Sequence, residues 1–600
     1  MVPRLRLKLH KIKSKPVFLI IFLYFLLATI FTFPLLFSLN KFTMTGGDGS
    51  IFIWHIWWLR KAIFQLHQNP LFSYYVFQPI GIDLTLPLQQ FSGVEALLSL
   101  VFHFFRVSPV ATYNFLVFIS FILAGFSTYL LASFFLKERL IAFISGLIYS
   151  FSSFRALRAM GHLDTLFTYW IPLFILFLFK FLREKKYAYL YYVGLFFLLG
   201  TYASMQNFIF MVMFGIIFAI FYRKDILIIL RKNFSHLFYF SSFILLGLIP
   251  KIYFAFRVIF RNLEEVEIWG GWKGANVLSG DLISYFIPHE ESFLFGFLGR
   301  AALKGKDLDW ESKQMYLGYF VIFLLVFAIW KFFKKSREVK LWTLIFFVFV
   351  IFSLGPSLKV FGFDKFIIDT NTFSYSSPLP YFIFHFIPIL KDFRAPGRFF
   401  IMFSLAAAIL SGFALLGIKE IFKGKRIWFL VFSILLASLI FLDSYHPFIF
   451  PSNKSSPHPF YQKMAEDKNE YTILDLPLLV RSGYYDFGYG DASPFFYQTI
   501  HNKKIIGGYI ARIPNRYYDF YEKIPLLKAI IDFQKREISL KVVSPDEQKL
   551  NKIFVHQANL KYVLIREPYN NNPEVIKFLK QSLPISVFYE DETLKVFEIN

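Results

Sequence analysis

The chain has 600 residues, 56% of them hydrophobic and 21% aromatic, with a mean hydropathy of +0.51. A water-soluble protein of this length does not carry so much apolar surface, so the composition points to a helical protein that crosses a membrane many times. The formal net charge of +24 would suggest nucleic acid as a partner for a soluble chain. Here Lys and Arg cluster between apolar runs, where they read as topology signals and anionic-lipid contacts, and no nucleic-acid role is expected. There is no Cys, which excludes disulfides, thiolate metal sites and cysteine nucleophiles.

In chain order, residues 1–15 are basic and lead into an apolar run that is too long for a signal peptide and is followed by no small-residue cleavage site. This run reads as a retained anchor. Spans are predicted near 16–38, 109–134, 139–155, 164–182, 187–203, 205–222, 235–258, 315–333, 340–357, 398–418 and 427–445, about eleven in all. The run 90–107 is short and broken by His103 and Arg106, and reads as interfacial or re-entrant. With that run left out, the basic clusters at 4–15, 137–139, 183–186, 223–232, 331–340 and 419–426 all fall on one side, as the positive-inside rule asks.

That side is expected to be the cytoplasm, and it holds the N-terminus. The segments 39–108, 156–163, 259–314 and 358–397 then face outward. After Asp443 the apolar runs stop. Residues 1–446 are thus expected to form an all-α polytopic domain of the plasma membrane, with a first outer loop at 39–108. Residues 447–600 are expected to form a small extracytoplasmic α/β domain, with strands near 471–475, 504–506, 561–565 and 585–589.

Four constellations could carry chemistry. The first is Thr45-Gly46-Gly47-Asp48-Gly49-Ser50, where the glycines permit φ > 0 and a close approach of backbone to ligand. The helix after it carries Trp54, Trp57 and Trp58, which suit the headgroup layer, with Arg60 and Lys61. The plain alternative is a turn. The second is the run from Arg155 to Asp164, which gathers Arg155, Arg158, His162 and Asp164 at the outer ends of two spans. Asp164 alone would read as a helix N-cap, but ionisable residues at span ends are functional candidates.

The third is the acidic loop 259–314, with Glu264, Glu265, Glu267, Asp281, His289-Glu290-Glu291, Asp307 and Asp309. Its His289 and Glu290 are candidates to bind a metal or substrate, although His-Glu-Glu is not a zinc spacing and a solvated acidic loop is the plain alternative. The fourth is Lys391-Asp392-Phe393-Arg394-Ala395-Pro396-Gly397-Arg398, where two arginines beside a helix N-terminus suit a phosphate. Interfacial snorkelling is the alternative there.

Together these pieces resemble the GT-C superfamily of integral-membrane glycosyltransferases, and more closely a bacterial and archaeal branch of GT-C-like proteins. The stretches that carry the resemblance are Gly47-Asp48-Gly49 with the Trp-rich helix, Phe151 to Arg155 through Gly161-His162-Leu163, Arg394 to Arg398, and Leu474-Asp475-Leu476-Pro477. The resemblance implies transfer of a sugar from a polyprenyl-phosphate carrier to a glycan, lipid or protein acceptor at the outer face. Asp48 would be the base, His162 and Asp164 would position substrates, and Arg394 and Arg398 would hold the leaving phosphate. Asp48 stands without the family's Asp-x-Asp pair, so a divalent cation is left open as cofactor. Two other readings compete: a lipid-linked glycan transporter, with Lys251 and Arg257 as its membrane charges, and a non-catalytic protein whose Tyr- and Phe-rich tail binds a glycan or partner.

Overall fold

A computed structural model of the chain describes residues 14–41, 48–85, 93–232, 234–262, 271–305, 308–363, 367–370, 373–376, 379–387, 390, 393–447, 457–481, 486–510, 513–535, 540 and 544–600. Each of the eleven expected spans contains a helix, from Ser14–Phe31 to Arg426–Asp443. Among the described residues, five helices are long and apolar enough to cross a membrane: Pro109–Leu136, Leu163–Glu184, Ser235–Tyr253, Pro396–Ile421 and Arg426–Asp443. A sixth is counted if Met205–Phe221 and Arg223–Ile229, bent by 89°, form one crossing.

Among the described residues, five or six of the eleven expected crossings thus have a helix of sufficient length and apolarity. Phe151 stops Arg139–Ser150 after 12 residues, short of the expected 139–155, whereas Tyr187–Ala203 keeps its expected 17 residues and ends at Ser204, in extended backbone at φ −159°. A crossing needs about 20 residues. Among the described residues of the 90–107 run, the helix is Val94–Phe104, with 11 residues, about 16 Å of helix.

The bundle is built around Pro396–Ile421, 89% buried along its apolar window. Its small residues Ala406, Ala407, Ala408 and Gly412 let neighbours approach closely. Pro109–Leu136 starts on a Ser108 N-cap, whose hydroxyl accepts from the Ala111 amide at 3.0 Å, with Pro at the first turn.

This helix and Phe400–Ile421 run about 42 Å and about 33 Å from the face that carries the C-terminal domain to the opposite face. There the basic loops are tied together. Arg183 pairs with Glu338 at 2.9 Å, Arg337 with Asp225 at 2.8 Å, Lys331 with Glu420 at 2.7 Å and Lys419 with Glu138 at 2.5 Å. Exposed pairs of this kind add little stability, but they show that these clusters share one face.

The C-terminal domain is α/β. Its five-stranded sheet runs in the order Ile585–Glu590, Leu594–Ile599, Leu560–Arg566, Thr472–Leu476, Lys504–Ile505. The last three strands are parallel and Leu594–Ile599 is antiparallel to its neighbours. All five residues of Thr472–Leu476 are buried, as a central parallel strand requires. A smaller sheet of Leu479–Arg481, Asp486–Gly488 and Gly508–Tyr509 lies beside it.

The first loop and this domain share one core, which corrects the expected place of the tryptophans. Trp54 and Trp58 are fully buried and Trp57 is 7% exposed, packed with Ile473, Phe495 and Ile505 rather than set in a headgroup layer. The physical reason is that the domain offers both apolar surface and acceptors for the indole N–H groups. Trp54 Nε1 donates to Gln498 Oε1 at 2.6 Å and Trp57 Nε1 to Asn502 Oδ1 at 3.1 Å. Backbone bonds between Ile505 and Tyr75 and between Phe77 and Gly507, each 2.9 Å, extend the join.

Trp54→Ala should therefore cost about 3–5 kcal/mol in the C-terminal domain rather than in the bundle. Thermal unfolding followed with limited proteolysis of the domain checks this; an unchanged melting temperature would show that the loop does not hold the domain. The tail aromatics are mostly core as well: Phe495, Phe496, Tyr517 and Tyr518 are all buried, while Tyr484 and Tyr485 lie outside the described residues.

Candidate active site

Asp48 stands at the N-cap of Gly49–Arg60, and its carbonyl accepts from the Ile51 and Phe52 amides at 3.1 and 3.2 Å. Its side chain makes no cap bond. The carboxylate instead accepts from the Tyr509 hydroxyl at Oδ1, 3.0 Å, and lies 3.3 Å from His162 Nδ1 at Oδ2. The sequence alternative of a simple turn thus has a specific content here: Asp48 ends the loop and points its acid away from its own helix. Gly46 and Gly47 lie outside the described residues. Burial pushes the Asp48 carboxyl up, but its bonds to His162 and Tyr509 and the charges of His162 and Arg398 outweigh that and bring it down to about 2. The positive end of the helix favours the same charge.

His162 precedes the 3-10 turn Leu163–Leu166, on which Asp164 sits 6% exposed. Asp164 lies in the first turn of the span rather than at its cap. Tyr113, fully buried, faces both acids closely enough for the charges of Asp48 and Asp164 to act on it. Its hydroxyl has no hydrogen-bond partner among the described residues.

Trp310 links this acid pair to a charged cluster. Its ring lies 4.9 Å from His162 and 4.6 Å from the Arg158 guanidinium. Arg158 is fully buried, donates through Nη2 to Glu311 Oε2, and stacks on Phe154 at 4.8 Å. Arg398 Nε stands 3.8 Å from the other oxygen of Glu311, which is itself 2% exposed. Gly397 makes this approach feasible: its amide donates to Leu278 O at 3.0 Å, and a Cβ there would overlap Met315. Nε and Nη1 of Arg158 and Nε of Arg398 are buried donors without acceptors among the described residues.

The structure thus brings Asp48, His162, Asp164, Arg158 and Arg398 to one place from three distant segments. Arg394 is partly buried on the segment leading into the Pro396–Phe399 turn, while Lys391 and Asp392 lie outside the described residues. Arg155 is turned inward. Its guanidinium donates to Ser150 O, Leu166 O, Thr168 Oγ1 and both oxygens of Ser120, at 2.8 to 3.4 Å. A buried Arg satisfies its fork on the nearest carbonyls, and Arg155 braces its neighbouring helices through these bonds.

His289 and Glu290 are also set apart. His289 Nδ1 accepts from the Glu291 amide at 3.2 Å, its ring stands 5.2 Å from His446, and the Glu290 carbonyl is held by Arg300. Asp281 caps Ile283 and Gly362, and Asp309 pairs with Lys359 at 2.6 Å. Glu264, Glu265, Glu267 and Asp307 lie outside the described residues. Glu311, Trp310, Tyr113 and Tyr509 were not singled out for this site from the sequence. Trp310-Glu311 adjoins the acidic run, but nothing in it marks which acid is buried.

Among the described residues no three His, Asp or Glu side chains gather to hold a metal ion. Both oxygens of Asp48 already have protein partners. Among the described residues, the donors around Asp48 therefore do not make up the ligand set of a divalent cation.

The family DUF6311, a domain of unknown function, matches residues 94–441. The chain belongs to the DUF6311 family. A comparison with curated proteins finds no match. Among solved structures, the arabinofuranosyltransferase AftD from Mycobacteria is similar over 99% of this chain and 40% of its own, at 11% identity and a TM-score of 0.52. ArnT from Cupriavidus metallidurans is similar over 98% of both chains, at 11% identity and 0.48. The archaeal oligosaccharyltransferase AglB from Archaeoglobus fulgidus covers 93% of this chain and 70% of its own, at 12% identity and 0.47. Over almost its whole length, this DUF6311 chain shares its fold with part of AftD.

Proposed function

We propose that this protein transfers a sugar from a polyprenyl-phosphate carrier to an acceptor at the outer face of the plasma membrane. The observation that carries this reading is the joining of Asp48, His162, Asp164, Arg158 and Arg398 through Trp310 and Glu311, on the face opposite the basic loops. Basic loops mark the cytoplasmic side, so the site and the C-terminal domain face outward. The GT-C-like fold and the resemblance of the Asp48, His162 and Arg398 motifs to that superfamily support the same reading.

An acceptor hydroxyl that displaces Tyr509 from Asp48 finds an ionised carboxylate for its hydrogen. Its oxygen attacks the anomeric carbon, the bond from that carbon to the phosphate oxygen breaks, and the phosphate leaves with the electron pair. Arg398 and Arg394 hold the leaving phosphate, aided by Arg158, and Asp164 and His162 orient the sugar and acceptor. Preorganised cations of this kind act where charge develops.

The test uses the full-length protein in lipid with a labelled undecaprenyl-phosphate sugar and a membrane glycan extract as acceptor source. Formation of a new glycosidic bond supports the proposal. Movement of the lipid across the bilayer without bond formation would favour a transporter, and binding alone would favour a non-catalytic role. Arg398→Ala should weaken donor affinity by about 10–100-fold, the worth of a charge-assisted hydrogen bond; unchanged affinity would make Arg398 an anchor only.

A further inference from the structure

We propose that the cavity at the C-terminal end of the Gly49–Arg60 helix binds the phosphate headgroup of an anionic membrane phospholipid. This cavity has a volume of about 530 Å³, and its lining includes Arg60, Lys61, His103 and Arg106 but no carboxylate. It lies at the far end of the helix that starts after Asp48, 12 residues away, or about 18 Å. A phosphate held there is too remote to be the leaving group of a reaction at Asp48.

Lys61 supplies the main argument. It is 8% exposed, with its ammonium 5.3 Å from the Trp57 ring and 4.8 Å from the Tyr75 ring. Among the described residues no carboxylate pairs with it and no acceptor takes its hydrogens. Aromatic faces offset part of the cost of burying a cation, but an ammonium with no directly paired anion remains costly. Arg60, 5% exposed, is held by the Ser99 and Val107 carbonyls and Thr112 Oγ1 at 2.7 to 2.8 Å, again with no carboxylate. Arg106 is exposed at the rim, on a left-handed turn at φ 55°. Three cations thus share one cavity whose lining holds no carboxylate, and Glu470 acts on Lys61 only from outside it, opposed by the charge of Lys503.

The helix Val94–Phe104 says which anion fits. Leu97, Val101 and Phe104 are 62%, 47% and 71% exposed, at the i, i+4, i+7 spacing of one helix face. Glu95, Ala96 and Ser99 on the other face are buried. A short helix with an outward apolar stripe lies in the membrane interface, so the cavity opens at headgroup level with an apolar flank for the acyl chains. A headgroup phosphate there meets Lys61, Arg60 and Arg106 while the chains follow the stripe.

The experiment places the full-length protein in nanodiscs of phosphatidylcholine with phosphatidylglycerol and counts retained phosphatidylglycerol by native mass spectrometry. Arg106→Gln, exposed and harmless to folding, should lower retention by about fivefold, and Lys61→Gln with Arg106→Gln by about 25-fold, taking the two charges as additive. Equal retention in Arg106→Gln and the parent protein overturns the proposal. Displacement of the lipid by millimolar inorganic phosphate would assign the cavity to soluble phosphate instead, and preferential retention of undecaprenyl phosphate would assign it to the carrier; either result overturns the choice of a bulk phospholipid. The readout is lipid retention, so its outcome does not depend on whether the protein transfers sugar.

Discussion

Asp48→Asn should lower the rate of sugar transfer by about 10²–10⁴-fold, the usual worth of general-base catalysis. Asn keeps the shape and can still accept from the Tyr509 hydroxyl, which now donates to Oδ1 at 3.0 Å. What it loses is the charge that takes the acceptor proton. Donor affinity should change little, because Arg398 and Arg394, the residues proposed to hold the phosphate, stand on another segment. Turnover at the parent rate would remove Asp48 from the chemistry.

The pH dependence follows from the same contacts. The Asp48 carboxyl is lowered from 3.8 to about 2, so its interactions contribute stability that is complete above the unfolded value and is lost as pH falls through about 2. Between about pH 7 and about pH 5 this group stays ionised. The transfer rate should show no loss in that window through Asp48, and a limb that can be traced to it there would contradict the described contacts.

Glu311→Ala should destabilise the protein by about 3–5 kcal/mol, because it strands a charge that has no water to retreat to. Arg158 is fully buried and Glu311 is 2% exposed, and Arg398 stands 3.8 Å from the same carboxylate. Removing the acid leaves two guanidinium groups facing each other. Thermal unfolding in detergent measures the loss. The double variant Arg158→Met with Glu311→Leu should recover much of it, since apolar residues can replace a buried pair at little net cost. Both variants should still lose transfer activity if Arg158 contributes to the site. Parental stability of Glu311→Ala would mean that the cluster is wetter than its burial implies.

The motifs around Asp48, His162 and Arg398 were legible because each puts charge or glycine where an apolar chain has no structural need for it. Arg155 and Arg158 were indistinguishable in sequence. Both are buried arginines on the short helix Ser153–Arg158, three positions apart. Packing alone separates them: one faces backbone carbonyls within the bundle and the other faces Glu311 and Trp310. His289 and Glu290 read as site residues by type, but their loop delivers them to His446 and Arg300.

The amino-acid sequence by itself determined the mostly helical membrane part, the α/β tail and the shared side of the described basic loops, because hydrophobic run length, alternation and charge placement are local properties of the chain. Only the structure showed which helices stop short of their expected length, as Arg139–Ser150 does at Phe151 after 12 residues. It alone decided that Trp54, Trp57 and Trp58 meet the C-terminal domain rather than lipid, and that Glu311 sits between Arg158 and Arg398. Those outcomes depend on which surfaces meet across more than a hundred residues of chain, and no local pattern of residue types encodes that.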